Sequence, residues 1–455
     1  MSSYYSTDLN EQTFFDWTGK TLNKKYILLK KLGSGSFSVV WMAINQQKKN
    51  LVAIKIHNTQ DFDAGEKEAK LHEKIKSRNC KYIVNYIESF VHPYFDDSDE
   101  KHFCIVLELM ACSLYDVIKD GKYKNGLPVD ACISIIKQCL IALKELNKIG
   151  YIHTDIKPEN ILLEGISEDN KNIIDFISSK KFDECIKNYK KKIINESKAP
   201  NKKKMKGLNE TAIEFAIKDF FNSTQNCNND QYSDNDNHRI HHNFNFRFSR
   251  QDIESDFSSN DNESNSTFCD YSLCPVSENI INNCKVKLTD LGTCLFKKDI
   301  EKNFNFDIQT RYYRSPEVML KCEYSENCDI WSLGCTFYEI LTGEILFDPN
   351  DLEDNISKDR FHLCDIQKKI DILPWYIIKD SPLYDLYFRK NGLLKGVNKF
   401  IPEPIFINIE QKINNKCSKQ VNNNIINFIQ CCLILDQKKR YNTHNCLIHP
   451  LFLNT

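Results

Sequence analysis

The sequence predicts an α+β protein in which a small β-rich lobe precedes a larger helical lobe that a long insertion interrupts. The first observation is a series of β-branched and aromatic segments from Tyr26 onward, separated by turn-type residues. The second is the apolar period of "DACISIIKQCLIALKELNKIG", typical of an amphipathic helix with Gly150 as its C-cap. The third is a polar stretch, rich in Lys and Asn, that follows.

These patterns divide the chain into a polar extension (1–25), the β-rich lobe (26–110), the first part of the helical lobe (111–166), the insertion (167–284) and the rest of the helical lobe (285–455). The β-rich lobe contains the strand candidates "YILLKKLG", "SVVWMAI", "LVAIKIH", "IVNYIESFV" and "HFCIVLELM", with the helix candidate "AGEKEAKLHEKIKS" among them. The insertion has too few apolar side chains to offset the entropy of ordering, so most of it is predicted to be disordered. Short apolar islands such as "ETAIEFAIKDFF" are compatible with a helix.

Composition excludes several classes of protein. The 455 residues carry a formal net charge of −1, so bulk charge predicts no attraction to nucleic acid. No apolar run approaches the ~20 residues that span a bilayer, and the first residues lack the apolar core of a signal peptide. The 19 cysteines are scattered without paired zinc-ligand spacing, so we expect free and mostly buried thiols in a reducing compartment.

Two motifs in the β-rich lobe are typical of phosphate binding. In "LGSGSFSVVW", Gly33 and Gly35 would let backbone amides approach phosphates, although Gly/Ser-rich turns are also common in hairpins. "VAIK" places Lys55 on the next strand among apolar residues, where an unpaired charge would be costly. The helix that follows offers Glu66 and Glu68 as its partner.

Two motifs in the helical lobe predict phosphoryl transfer. In "YIHTDIKPENILL", Asp155 would accept or orient a hydroxyl proton, Lys157 would neutralise the transferring group, and Asn160 would hold a metal ion. In "LTDLGTC", Asp290 would bind Mg²⁺ between the β- and γ-phosphates. A chance match to the first motif followed by an apolar strand is improbable.

Three further residues are assigned structural roles. Glu317, which follows a proline in "RSPEV", is predicted to be buried, and Arg440 is its expected cation. "CDIWSLGCTFYEILTGEILF" has the pattern of a central helix, and its Asp329 is expected to cap or bond the backbone of the catalytic loop.

In this order the motifs resemble a eukaryotic protein kinase, and their details are similar to the SR-protein kinase family. "GSGSFSVVW", "HTDIKPENILL" and "DIQTRYYRS" carry the resemblance, with "GLP" before the helix that leads to the catalytic loop and a long spacer that splits the core. The resemblance implies the bilobal kinase fold, with a β-rich N-lobe and a helical C-lobe. It also implies ATP and Mg²⁺ as cofactors, and phosphorylation of serines in Arg/Ser-rich segments of splicing-factor-like proteins.

The resemblance also assigns site residues. It favours Glu68 over Glu66 as the partner of Lys55. The catalytic residues are then Lys55, Glu68, Asp155 and Lys157, and the metal ligands are Asn160 and Asp290. The positions expected to contact the nucleotide are Leu32, Gly33, Ser34, Gly35, Ser36, Phe37, Ser38, Val40, Ala53, Lys55, Leu107, Glu108, Met110 and Leu162.

Substrate docking is expected on an acidic surface of the C-lobe. Asp359 matches a docking position of the family, and its acidic neighbours are Asp348, Asp351, Glu353, Asp354 and Asp365. A solvated acidic loop is the competing interpretation. We expect a monomer in cytoplasm and nucleus, without direct nucleic-acid or membrane partners. "NKKKMKG" in the insertion is a candidate nuclear localisation signal, and deletion of residues 170–280 is expected to leave catalysis largely intact.

Two alternatives stay open. Pro316 is usual in the LAMMER and dual-specificity kinases, which would imply Ser/Pro or other substrates and an autophosphorylated tyrosine at Tyr312 or Tyr313. A pseudokinase scaffold would keep the fold without catalysis, although the catalytic set is intact.

Thr154 stands where most kinases have an arginine that receives a phosphorylated activation segment. A threonine at this position therefore predicts activity without phosphorylation of the activation segment.

Overall fold

A computed structural model of the chain describes residues 17–48, 50–93, 100–119, 121–196, 208–209, 211–220, 276–300, 307–349, 355–396, 409, 411 and 418–453. The fold comprises two units. The first contains residues 1–59, 89–106 and 173–247, and the second contains residues 60–88, 107–172 and 248–455.

The strands among the described residues form three sheets. Their bounds are β1 (Thr21–Leu22), β2 (Tyr26–Ser34), β3 (Ser38–Asn45), β4 (Asn50–His57), β5 (Tyr86–Pro93), β6 (Lys101–Glu108), β7 (Cys112–Ser113), β8 (Tyr151–Ile152), β9 (Ile161–Leu163), β10 (Val286–Leu288) and β11 (Leu295–Phe296). The six-stranded sheet, in the order β1-β2-β3-β4-β6-β5, confirms the β-rich start of the chain. The register between β2 and β3 shifts twice, between Leu28 and Lys30 and between Lys31 and Gly33, the second time just before the glycine-rich loop.

The helices lie mostly after the large sheet. Their bounds are α1 (Phe62–Lys76), α2 (Leu114–Lys119), α3 (Val129–Lys148), α4 (Glu168–Ser178), α5 (Lys180–Glu196), α6 (211–220), α7 (Glu278–Asn282), α8 (Lys297–Ile300), α9 (Pro316–Met319), α10 (Asn327–Thr342), α11 (Asn355–Lys369), α12 (Trp375–Ile378), α13 (Tyr384–Tyr387), α14 (Lys419–Cys432) and α15 (Thr443–Leu447). None of these described helices is both long and apolar enough to cross a membrane.

The core of the second unit surrounds α3 and α10. Apolar residues of α3 recur with the helical period, and most of them are fully buried. Gly150 ends the α3 region with φ +83°, as its predicted role as a C-cap requires. An added Cβ at this glycine would lie 2.8 Å from the ring of Phe296. The helix α10 is buried on every side, which confirms it as the predicted central helix.

Two small sheets bring distant parts of the second unit together. In one of them β10 pairs antiparallel with β9, so that Leu288 lies opposite Ile161. In the other β11 pairs with β8, so that Leu295 lies opposite Ile152. The catalytic loop between β8 and β9 is therefore held beside the segment that contains Asp290, although the insertion separates the two in sequence.

The range 167–284, which was predicted to be mostly disordered, contains helices in its described part. Helices α4, α5 and α6 occupy 168–178, 180–196 and 211–220, and the helix predicted over "ETAIEFAIKDFF" is confirmed for its described residues. Ile173, Ala212, Ala216 and Ile217 are buried, and the rings of Phe176 and Phe220 stack with centroids 4.2 Å apart. Apolar residues at helical spacing therefore bury enough surface to order these helices despite the polar composition. The run "NKKKMKG" lies outside the described residues.

The cysteines that the structure describes are free thiols, and most of them are buried. Burial raises the pKa of the Cys284 thiol to about 11, so this group stays protonated at neutral pH.

Candidate active site

The carboxylate of Asp155 is the centre of the candidate site. Its Oδ1 accepts hydrogen bonds from the backbone N of Thr310 at 3.1 Å and from the Thr310 hydroxyl at 2.7 Å. Its Oδ2 accepts from Asn160 Nδ2 and from Lys157 Nζ, each at 2.9 Å. Four donors therefore fix this carboxylate in the orientation that a base or an orienting group needs.

Charge and hydrogen bonding keep Asp155 ionised. Burial, the largest effect, would raise the pKa of this carboxyl, but Lys157 and the Thr310 hydrogen bond together outweigh it, and the pKa lies below the ordinary value of 3.8. Burial alone would lower the pKa of Lys157, and the neighbouring carboxylate of Asp155 raises it instead. The Lys157 ammonium also donates to the Thr310 hydroxyl at 2.8 Å. Thr310 was not predicted as a site residue.

The catalytic loop is tied to the segment of Asp290. The backbone N of Asp155 donates to His153 Nδ1 at 3.3 Å, so His153 Nε2 carries the proton and donates to the Thr289 carbonyl at 3.0 Å. The backbone N of Thr289 in turn donates to the carbonyl of Asn160 at 3.1 Å. The two predicted metal ligands, Asn160 and Asp290, are therefore carried by segments that bond each other directly.

The side chain of Asn160 fits a magnesium ligand. Its amide nitrogen donates to Asp155, whereas its Oδ1 is buried and accepts no hydrogen bond from the residues that the structure describes. A buried carbonyl oxygen without a donor is costly unless it binds a cation, and Mg²⁺ prefers oxygen ligands. The backbone of Asp290, the second predicted ligand, has φ +60°, a left-handed conformation that residues other than glycine rarely adopt. Asn160 and Asp290 would hold the ion, which would neutralise charge on the phosphates.

Thr154 lies in the catalytic loop with φ +69°, which is unusual for a β-branched residue. The carboxylate of Asp329 holds this conformation, because it accepts from the backbone N of His153 at 2.8 Å and of Thr154 at 2.9 Å. This contact confirms the role predicted for Asp329. The Thr154 hydroxyl donates to the Thr293 carbonyl at 2.8 Å, and the Thr293 hydroxyl donates to the His153 carbonyl at 3.3 Å.

The segment after Asp307 is ordered by its own side chains. Gln309 Nε2 donates to the Ser332 hydroxyl at 2.8 Å and to the Cys328 carbonyl at 2.9 Å. Its Oε1 accepts from the backbone N and the hydroxyl of Ser315, at 2.9 and 3.1 Å. The guanidinium of Arg314 bonds the Gln309 carbonyl. Sequence reasoning assigned no role to Gln309, since its contacts with Cys328 and Ser332 span 19 and 23 positions and depend on the packing of α10.

The predicted ion pair of Glu317 and Arg440 is confirmed. The two guanidinium nitrogens of Arg440 lie 2.6 and 2.9 Å from the two carboxylate oxygens of Glu317, and both side chains are buried. This bidentate geometry anchors the segment that ends at α9.

The glycine-rich loop lies in the first unit, between β2 and β3. In the sheet, Val40 is opposite Gly33 on one side and Lys55 on the other, so the loop and the lysine share one row across three strands. Asn58 closes the loop, because its backbone N donates to the Phe37 carbonyl at 3.0 Å and its Nδ2 donates to the Ser36 carbonyl at 3.0 Å. Phe37 is exposed at the tip. Asn58 is a second residue that sequence reasoning missed.

The remaining predicted site residues fall into two groups by burial. Lys55, Glu68, Ala53, Leu107 and Met110 are buried, whereas Leu32, Ser34, Gly35, Glu108 and Leu162 are half-buried. The side chain of Glu66 is 48% exposed and pairs with Lys70 at 3.1 Å, which favours Glu68 as the partner of Lys55. That pairing stays a prediction.

The acidic docking surface is described only in part. Asp351, Glu353 and Asp354 lie outside the described residues. Asp348 is exposed. The Asp359 carboxylate accepts from Arg311 and, at 3.3 Å, from the Tyr387 hydroxyl. Asp365 pairs with Lys369 at 2.8 Å. Two of the predicted docking carboxylates therefore already have cations of the chain as partners.

Known proteins identify the family. The protein kinase domain matches residues 26–226 and 277–452, so the unmatched segment is 227–276, narrower than the predicted insertion. A serine/threonine-protein kinase of Acanthamoeba polyphaga mimivirus is 30% identical over 95% of this chain and 88% of its own length. Protein kinase dsk1 of Schizosaccharomyces pombe is 28% identical over 92% of this chain and 79% of its own. The serine/threonine-protein kinase SRPK of Physarum polycephalum is 27% identical over 95% and 87%.

Proposed function

The chain belongs to the protein kinase family as a serine/threonine kinase similar to SR-protein kinases over most of its length, and we propose that it phosphorylates serines in Arg/Ser-rich segments. Such segments occur in splicing-factor-like proteins. Mg-ATP would supply the phosphoryl group, with Asn160 and Asp290 as the metal ligands. The carrying observation is the set of four donors around Asp155, because it orients one ionised carboxylate for an incoming hydroxyl.

The proposed chemistry needs little from the protein besides position and charge. Asp155 accepts or orients the proton of the substrate serine, and Lys157 neutralises charge that develops on the transferring group. Asp155 cannot hold its own proton at neutral pH, because the pKa of its carboxyl lies below 3.8. It is therefore in the form that accepts one throughout the physiological range.

Constitutive activity is part of the proposal. In kinases that require phosphorylation, an arginine beside the catalytic Asp binds the phosphate, and Thr154 removes that receiver. Ser315 and Arg314 each donate to Gln309 without a phosphate, and the Thr154 hydroxyl donates to the Thr293 carbonyl. These contacts support a segment that is ordered before any modification.

The described residues give less support to the alternative of a dual-specificity kinase. Tyr312 and Tyr313 are 5% and 2% exposed. The hydroxyl of Tyr313 donates to Glu339 at 2.6 Å. Neither ring is presented as an acceptor of a phosphoryl group in this conformation.

Docking of an Arg-rich segment is proposed on the acidic surface that contains Asp348 and Asp359. Asp359 accepts the guanidinium of Arg311, which illustrates the chemistry that a substrate arginine would use. Attraction to such a surface would weaken with salt. A monomer that moves between cytoplasm and nucleus would suit this role.

The decisive experiment compares peptides under Mg-ATP. Purified protein is first treated with phosphatase and then offered an Arg/Ser repeat peptide or a Ser/Pro peptide, with Asp155→Asn as the inactive control. We expect rapid phosphorylation of the Arg/Ser peptide by the dephosphorylated protein, and a loss of about 10²–10⁴-fold in the variant. Preference for the Ser/Pro peptide would reject the substrate class. Activity abolished by phosphatase would reject constitutive activity, and no transfer to either peptide would revive the scaffold alternative.

A further inference from the structure

The carboxylate of Glu108 joins three segments that are far apart in sequence. Its Oε1 accepts from the backbone N of Asn85 at 2.7 Å and from Lys287 Nζ at 2.6 Å. Its Oε2 accepts from the side-chain amide of Asn85 at 2.9 Å. Asn85 follows α1, Glu108 ends β6, and Lys287 lies in the middle of β10. We refer to these three residues as the Glu108 network.

Backbone contacts show that the same segments run side by side. The backbone N of Glu108 donates to the Asn85 carbonyl at 3.0 Å, and the backbone N of Val84 donates to the Leu288 carbonyl at 2.9 Å. The strand that holds Lys287 reaches Asp290 two residues after its end. The network therefore connects the end of β6 to the strand that leads into a predicted metal ligand.

The burial of the network distinguishes it from an ordinary surface ion pair. The Lys287 side chain is 9% exposed and that of Glu108 is 25% exposed, and a second carboxylate, Glu164, lies 3.8 Å from the same ammonium. Exposed ion pairs contribute little, but charged hydrogen bonds that are partly shielded from water are shorter, stronger and more directional. The carboxylate of Glu108 is directed at the chain itself, so it fixes geometry.

We propose that Asn85, Glu108 and Lys287 are positioning residues for the nucleotide. Leu107, Glu108 and Met110 are predicted to contact the nucleotide, and we assign them to its base, whereas Asp290 is predicted to hold the metal on its phosphates. The network holds the first segment at a fixed place relative to the strand that precedes the second. One ligand that reaches both parts binds tightly only if their spacing is set in advance. This inference rests on the proposed use of ATP and is independent of the protein substrate.

The test separates the two ends of the nucleotide. Competition against a fluorescent nucleotide gives the affinities of Mg-ADP, adenosine and Mg-tripolyphosphate for wild type, Asn85→Ala and Lys287→Met. We expect Mg-ADP to bind about tenfold more weakly in each variant, whereas adenosine and tripolyphosphate, which touch one part each, change by less than about twofold. The double variant should lose less than the sum of the two single losses, because both act through Glu108.

Matched variants control for folding. Lys285→Met removes a lysine two residues away whose side chain is 67% exposed, and it should leave all three affinities unchanged. Lys287→Arg should restore most of the affinity for Mg-ADP. Asn85 is exposed, so its variant should fold normally.

Three results would overturn the proposal. Adenosine weakened as much as Mg-ADP would mean that the network shapes only the base segment. Unchanged affinities with a lower unfolding temperature would mean that it only stabilises the fold. Faster turnover at unchanged Mg-ADP affinity would mean that it restrains the enzyme. Because no peptide is involved, failure of the substrate proposal would leave this result interpretable.

Discussion

At the scale of the residue, Thr310 determines how well the catalytic carboxylate is held. Its hydroxyl bridges Asp155 and Lys157, at 2.7 and 2.8 Å, and its backbone N gives Asp155 another bond. Removing the hydroxyl leaves the ion pair of Asp155 and Lys157 but takes away one of the interactions that lower the pKa of the carboxyl. The effect of burial, which raises that pKa, would then be less well compensated.

Thr310→Val is therefore expected to raise the pKa of Asp155 and to move the acid limb of the kcat–pH profile to higher pH. At neutral pH the variant should also lose about 1 kcal/mol of unfolding free energy, the ordinary contribution of one hydrogen bond. A carboxyl with a depressed folded-state pKa contributes stability above its unfolded-state pKa and loses it as pH falls through the folded value. The variant should accordingly lose less stability on acidification than wild type does.

The control for this prediction is Thr310→Ser, which keeps the hydroxyl and should keep both the acid limb and the stability. Rates over a pH series and urea unfolding at two pH values give the measurements. An acid limb that stays in place in Thr310→Val would show that Lys157 alone sets the ionisation of Asp155.

Sequence could identify Asp155, Lys157 and Asn160, because they lie within six residues and their spacing is specific to one chemistry. It could not identify Thr310, which lies in the motif "DIQTRYYRS" but was assigned no role in the site. The contact between Thr310 and Asp155 spans 155 positions, and such contacts depend on packing that no local pattern records.

At the scale of the element, Gln309 organises the segment between Asp307 and α9. Its backbone is left-handed, with φ +66°, and its side chain makes four hydrogen bonds. The strained backbone is thus maintained by the contacts of its own side chain and by Arg314, which bonds its carbonyl.

Gln309→Ala should lower the unfolding free energy by about 2–4 kcal/mol, since four buried hydrogen bonds are lost while the left-handed backbone stays costly. Gln309→Gly loses the same bonds without that backbone cost, so it should be less destabilised in the native state. Urea unfolding compares the two, and peptide phosphorylation should fall in both. Equal rates in wild type and both variants would contradict the idea that internal bonds replace a phosphate.

Helices could be predicted from the sequence where apolar residues recur at every helical turn. The pattern of α3 gave both its extent and its cap at Gly150. Helices α4 and α5 were missed because the prediction weighed the polar composition of the whole insertion, although both segments have an amphipathic pattern. The ring of Phe176 in α4 stacks on that of Phe220 in α6. Composition describes what a segment lacks on average, whereas burial depends on a few well-placed side chains.

At the scale of the whole molecule, the family match and the burial pattern agree on where the insertion lies. The kinase domain includes 26–226 and resumes at 277, and the buried residues of α4 and α6 fall inside the first range. The segment whose deletion should leave catalysis intact is therefore shorter than the predicted 170–280. Between residues 26 and 452, only 227–276 are left out of the match.

Replacement of residues 227–276 by a flexible Gly/Ser linker of about 20 residues should leave the unfolding temperature unchanged and kcat within about twofold of the wild-type value. Ile217→Ala, in α6, should by contrast lower the unfolding free energy by about 2–4 kcal/mol, because the side chain is 2% exposed and its removal leaves a cavity. Calorimetry and peptide phosphorylation on both variants decide the boundary. A linker variant that fails to fold would place structural contacts in 227–276, and a neutral Ile217→Ala would remove α6 from the core of the first unit. The contrast between the two follows from burial, since a segment stabilises a fold only through the apolar surface that it takes out of water.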